Sequence, residues 1–254
     1  MGAIQQVLMS YGGGYAANSV DYVAATPDYL SKVTDFTGNA DSRTGILSAW
    51  VRLDGGNGST LEMLGSLANT FNSFRNNANL FHFQVTDTGG VTTFVYKTVN
   101  TYTSGATWLN VLSSWDTNAG AGAKVAHLYI NDTSDVTVTS DTGAAFDIDY
   151  TVATWAVGTN ANALGVNSNF DGCMAELYFA PGQYLDFSSS SNRRKFISAT
   201  GKPVSLGTDG STPTGVAPIL YLPGVAASVN VNAGTGGNMT INGSPATCST
   251  SPSS

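Results

Sequence analysis

Hydrophobic and polar residues alternate with a period of two along much of this chain, most clearly between Trp108 and Asp132, WLNVLSSWDTNAGAGAKVAHLYIND. Trp108, Asn110, Leu112 and Ser114 face one way, and Leu109, Val111, Ser113 and Trp115 the other. Past a Gly/Ala/Asn loop, Val125, His127, Tyr129 and Asn131 alternate with Ala126, Leu128, Ile130 and Asp132. Aromatic and β-branched residues in this rhythm predict two strands that bury one face. Further strands are predicted at Ser19–Ala24, Tyr29–Val33, Ile46–Asp54, Thr60–Leu67, Leu80–Thr86, Val91–Val99, Val136–Ser140, Thr154–Gly158 and Cys173–Ala180. Asp87-Thr88-Gly89-Gly90 reads as a hairpin turn between two of them. After Gly201 the texture shifts to Gly/Pro/Ser/Thr turns with brief strands at Ile219–Leu222, Val229–Val231 and Met239–Asn242.

Two stretches break the alternation. Ile4, Val7, Leu8 and Tyr11 recur at helical spacing before Gly12-Gly13-Gly14, an amphipathic stripe too short to stand alone in water. It lies either on this protein's own sheet or in a neighbouring subunit. Ser188–Ser198 is the one helix expected inside the domain, its leading serines serving as caps. Many short strands between regular turns favour an antiparallel β-sandwich. We divide the chain into an attachment segment (1–14), a sandwich (15–200), C-terminal strands that complete or flank it (201–247) and a flexible polar tail (248–254).

Composition narrows the function. A net charge of -7 argues against nucleic acid, which needs clustered Lys and Arg. Arg193-Arg194-Lys195 is expected to be a solvated helix face. No apolar run reaches the roughly 20 residues that span a bilayer, so no membrane insertion is expected. The opening residues lack the pattern of a secretion signal. Cys173 and Cys248 make neither a metal site nor a disulfide framework. One bridge pinning the tail is one outcome; two free thiols are the expectation for assembly in a reducing cytoplasm.

Catalysis finds little supply. Glu62 and Glu176 are the chain's two glutamates, and neither has an acid two positions away, as sandwich glucanases require. A solvated or otherwise structural place is expected for Glu176. Asp147 and Asp149 share one strand face without a glutamate beside them, and His82 and His127 read as ordinary strand histidines. No nucleophile elbow, zinc motif or phosphate loop is present. We therefore expect no catalytic residues and no enzyme. Binding is the better fit. Asp116 and Asn118, then Asn131, Asp132 and Asp135, then Asn169 and Asp171 supply the loop oxygens that sandwich lectins turn toward sugar hydroxyls. The same oxygens are compatible with Ca²⁺, although none follows the EF-hand spacing, and they are equally the residues of tight turns.

Several stretches resemble the concanavalin A-like, laminin-G-like jelly-roll proteins of tailed bacteriophages and prophages. They are MGAIQQVLMSYGGG, SVDYVAATPDYLSKVTDFTGNADSRTGILSAWVRLD, WLNVLSSWD with HLYIND, FDGCMAELYFAPGQYLD and GKPVSLGTDGSTPTGVAPILYLPG. Together they cover most of the chain, and the opening and closing ones carry the likeness to phage. The resemblance implies an all-β, two-sheet antiparallel jelly roll and a virion structural protein of tail or capsid surface, assembled in the bacterial host cytoplasm. Partners are then expected among other virion proteins and copies of itself, the apolar stripe of Ile4, Val7, Leu8 and Tyr11 serving as the anchor, with host glycans as the expected ligands. A free lectin or a glycan hydrolase of the same fold is the alternative.

Overall fold

The computed structural model describes residues 14–91 and 93–254. In chain order its strands are β1 (Val20–Tyr22), β2 (Tyr29–Lys32), β3 (Thr44–Leu53), β4 (Leu61–Ser66), β5 (Phe71–Arg75), β6 (Phe81–Thr86), β7 (Thr93–Lys97) and β8 (Leu109–Asp116). Then come β9 (Val125–Ile130), β10 (Thr133–Ser134), β11 (Thr137–Asp141), β12 (Trp155–Val157), β13 (Gly172–Pro181), β14 (Leu220–Leu222), β15 (Thr240–Asn242) and β16 (Ala246–Thr247). They form two antiparallel sheets of eight strands each. The first runs β10-β9-β8-β3-β13-β1-β16, with β14 also paired to β13; the second runs β11-β7-β6-β5-β4-β12-β2-β15.

The alternation read from sequence decides which residues meet between the sheets. Leu47, Ala49, Val51 and Leu53 of β3 and Val111 and Trp115 of β8 enter the common core, as do Leu128 and Ile130 of β9. Phe71 sits at its centre, 4.7 Å from the ring of Phe179 and 5.3 Å from that of Trp115. The opposite face of the first sheet is also covered. Ile46, Leu112, Tyr178 and Ala180 pack there against Phe187, Phe196 and Leu206 from the segment that follows β13.

Five expectations are corrected. Strand β5 is absent from the set read off the sequence, because Arg75 turns inward with Phe71 and Ser73 and breaks the polar-out rhythm. Its buried guanidinium instead donates to the Asn57 side chain and the Tyr102 carbonyl at 3.1 and 3.3 Å, and to the Gly56 carbonyl. Val229–Val231 forms no strand; a 3₁₀ turn over Ala226–Ser228 precedes it. The helix expected over 188–198 is one turn, α1 (Ser190–Arg193), since serines support helix weakly and Phe196 and Ile197 are drawn down onto the sheet. Arg193 and Arg194 are not merely solvated: both pair with Asp132, at 2.6 and 2.5 Å, and Arg193 lies 4.4 Å over the Tyr129 ring. The thiols are not free, because Cys173 and Cys248 are bridged across a Cα separation of 6.1 Å.

That bridge begins a polar clasp rather than a flexible tail. The Cys248 amide donates to the Ser19 carbonyl at 3.2 Å, and Ser19 Oγ donates to the Thr250 carbonyl at 2.7 Å. Thr250 Oγ1 accepts from Arg52 and Trp108, at 2.6 and 3.2 Å. Ser253 Oγ accepts from the Ala17 amide and donates to the Tyr15 carbonyl, each at 2.9 Å. Residues 201–247 complete both sheets, with β14 and β16 in the first and β15 in the second. The anchor residues Ile4, Val7, Leu8 and Tyr11 lie outside the described residues.

Candidate functional site

Strand β13 changes neighbours partway along its length. Its first residues pair with β1 through Met174, and Leu177 to Phe179 pair with β14. On its other side the register with β3 slips between Ala175 and Tyr178. Glu176 stands at this junction in the left-handed region, at φ 52°, where a residue with a β-carbon is strained. Its side chain leaves the sheet between the two partner strands. One oxygen accepts from Tyr15 Oη at 2.8 Å and the other from Tyr221 Oη at 2.6 Å.

Glu176 is 2% exposed. Burial pushes its carboxyl up to about 7, against the opposing pull of the Tyr221 and Tyr15 hydroxyls, which favour the carboxylate. Tyr15 is raised to about 12 by burial first and by the neighbouring Glu176 second, and Tyr221 is raised for the same reasons. The two phenols therefore stay protonated and donate.

Tyr15 also lines a cleft of 570 Å³ at the surface. The strap Gly14–Ala16 forms one wall, the loop from Ser198 to Ser205 another, and Ser253 of the clasp closes it. Ser198, Thr200, Lys202, Ser205 and Ser253 line it, and its described lining contains no aspartate or glutamate. The disulfide to Cys173 ties the clasp to β13.

The loop residues expected to bind sugar do not converge. Asp116 and Asn118 lie at the end of the sandwich where β3 begins, since Asp116 is opposite Thr44. Asn131, Asp132, Asn169 and Asp171 lie at the other, where Val51 is opposite Leu109 and Leu53 is opposite Gly172. Most have structural partners. Asp116 accepts from the Asn118 amide at 2.7 Å, Asn131 from the Asn110 amide at 2.7 Å, and Asn169 from Thr159 at 2.8 Å. Asp132 is held below the usual carboxylate range by Arg194 first, and by Arg193. Burial raises Asp135, but donors from Tyr102, Val99 and Asn100 outweigh it and hold the carboxyl low. Asp171 packs against Gly55. Most of the seven thus serve turns and ion pairs, and the register sets Asp116 and Asn118 apart from the group at the other end.

The other ionisable groups sit elsewhere on the sandwich. Asp147 pairs with Arg43 at 2.9 Å, and Asp149 is raised by burial and by Asp41. Glu62 is 2% exposed on the outer face of the second sheet, and burial alone drives its carboxyl well above the ordinary range. In the same row, His82 stacks on Phe74 at 4.5 Å and is lowered to about 4 by burial and by Lys97. Of the two places open to Glu176, solvated or buried with a partner, the structure takes the buried one. A lone glutamate inside the apolar run CMAELYFA was the signal for it, whereas nothing in the sequence ties Tyr15 or Ser253 to that position. Asp21, Asp54 and Cys173 lie within 4.8 Å of one another, but the bridged sulfur is no ligand, which leaves two carboxylates and no metal centre there.

Comparison with solved structures supports the fold. A Bacteroides ovatus protein provisionally assigned as carbohydrate-binding superposes with a TM-score of 0.64 at 15% identity, over 93% of this chain and 61% of that one. This chain thus spans about three fifths of that protein's length. Weaker likenesses include a heptameric SAP-like pentraxin from Limulus polyphemus (TM-score 0.49, 10% identity, 91% of this chain and 94% of that one). Mouse laminin alpha1 domains LG4-5 match with a TM-score of 0.47 and 13% identity over 71% and 46% of the two chains. No protein-family model matches the sequence. No curated protein matches it by sequence either. The fold is a two-sheet antiparallel jelly-roll sandwich.

Proposed function

We propose that this chain is a non-enzymatic, glycan-binding surface component of a tailed-phage particle, which takes a saccharide in the cleft beside Tyr15. The cleft carries the reading: a tyrosine and several hydroxyls with one ammonium suit a polyhydroxylated ligand. The fold-level likeness to a protein assigned to carbohydrate binding points the same way, although fold by itself does not fix function. The phage setting rests on the resemblance of the opening and closing segments, and attachment is assigned to residues 1–14.

The placement of the acids supports binding without turnover. Glycoside hydrolysis uses two carboxyl groups flanking the bond, whereas no carboxyl lines the cleft among the described residues and Glu176 behind it is engaged by two tyrosines. A glycan array run with and without EDTA, on the native chain and on Tyr15→Ala, tests the proposal. Selective glycan capture that survives EDTA and falls about tenfold or more in the variant is expected, a loss of about 1.4 kcal/mol. Capture unchanged by Tyr15→Ala, or reducing-sugar release abolished by Glu176→Gln, contradicts it. Deleting residues 1–14 is expected to abolish incorporation into particles.

A further inference from the structure

We infer that the Cys173–Cys248 disulfide is a redox latch on the cleft, closing it when oxidised and releasing one wall and the Tyr15 strap when reduced. The inference rests on the cleft as the saccharide site, and extends it to how that site is assembled.

One covalent bond joins the segment that carries Ser253 to the first sheet, just after β16 pairs with β1. Cys173 lies on β13, inside the rigid sheet, and Cys248 opens the terminal clasp. Beyond Cys248 the clasp is held by hydrogen bonds: the Thr250 carbonyl accepts from Ser19, Thr250 Oγ1 from Arg52 and Trp108, Ser253 bonds the strap, and the Ser254 carbonyl accepts from Lys202. Most are partly open to water, where each such bond contributes only about 1 kcal/mol. Ser253 is at once a cleft residue and the group that holds the main chain at Tyr15 and Ala17. Losing the bridge therefore frees the tail first. The strap follows, keeping the Tyr15 hydroxyl contact to Glu176 but losing its main-chain anchors.

The closing step is a thiol–disulfide exchange with a small-molecule disulfide such as oxidised glutathione. The Cys248 thiolate attacks one sulfur of that disulfide, forming a mixed disulfide and expelling one small thiolate. The Cys173 thiolate then attacks the Cys248 sulfur and expels the second. Two cysteines are oxidised by two electrons, the small disulfide is reduced to two thiols, and the cysteine protons end on those thiols. Cys248 acts first because Cys173 Sγ lies 4.0 Å from both Asp21 and Asp54, which disfavour a thiolate there. Arg52, opposite Cys173 on β3, is already committed to Asp54 at 2.6 Å. A chain made in a reducing cytoplasm would carry an open cleft and close it on release into an oxidising exterior.

Amide hydrogen exchange on the full chain tests this, comparing the oxidised protein, the protein in dithiothreitol, and Cys248→Ser. Reduction and the variant are each expected to cut protection of the Ala17 amide and of the amide at position 248 about tenfold or more, while amides of β3 and β8 stay protected. A Ser253→Ala variant with the bridge intact should loosen Ala17 but leave the position 248 amide protected. Unchanged protection of both amides in dithiothreitol and in Cys248→Ser overturns the latch. Affinity for an array-selected glycan is then measured in both redox states, with about a tenfold loss on reduction expected. Looser amides with unchanged affinity overturn control of the site while leaving the binding proposal intact. If no glycan binds in either state, the binding proposal fails, and the exchange result alone decides whether the latch holds the strap.

Discussion

Replacing Glu176 with glutamine should remove a pH dependence that can be sized from the structure. The native carboxyl titrates at about 7 when folded, against a reference of 4.5. Its folded value is raised, so its contribution to stability is fully present below the reference value, declines as pH rises through the window between the two, and is gone above about 7. Each tenfold change in proton affinity is worth about 1.4 kcal/mol, so the change between pH 5 and pH 8 is about 2–3 kcal/mol. Glutamine fits the same space, keeps one acceptor and presents a donor to a rotated tyrosine hydroxyl, but it does not titrate. Glu62 shifts in the same direction, and it is common to both proteins, so it cancels in the comparison. Urea unfolding of oxidised native and Glu176→Gln protein at pH 5, 6, 7 and 8 provides the measurement. The native midpoint should fall relative to the variant by about 1 M across that range, for a urea slope near 2–3 kcal/mol/M. A difference independent of pH would refute the buried, singly titrating carboxyl.

Gly172→Ala should lower thermal stability sharply, since φ is 143° there and a β-carbon would stand 2.0 Å from the Arg52 carbonyl; the loss by calorimetry should be at least about 2 kcal/mol. Phe71→Ala should cost about 3–5 kcal/mol in chemical unfolding, because its ring meets Trp115, Trp155 and Phe179 at the centre of the core. Asp132→Asn should lower the melting midpoint modestly at pH 7. Because Asp132 is depressed when folded, its contribution is present above the ordinary carboxylate range and lost as pH falls, so the two proteins should melt alike near pH 2.

Where alternation was strict, as in β3, β8 and β9, the sequence specified both the strand and the face each residue presents. It failed where a polar residue was buried for its hydrogen bonds. Arg75 concealed β5, because a guanidinium that staples loop carbonyls looks like a surface residue in a periodicity. The Asn and Asp loops were recognised as turn chemistry, but their register at opposite ends follows from strand pairing, which no local pattern encodes. The site depended on contacts of still longer range. Tyr15 meets Glu176 across 161 positions and Ser253 across 238, so the strap, the bulge and the tail become one feature only when the sheet is assembled.

The central claim is that a saccharide is held, without being cleaved, in the cleft between the strap, the 198–205 loop and the clasp. Amide chemical-shift mapping of the oxidised protein with its best array-selected oligosaccharide tests that most directly. The account predicts dose-dependent shifts confined to residues 14–16, 198–205 and 253, with the sugar recovered intact. Shifts centred instead on 116–118, on 131–135 or on the Phe74–His82 face, or a cleaved sugar, would contradict it.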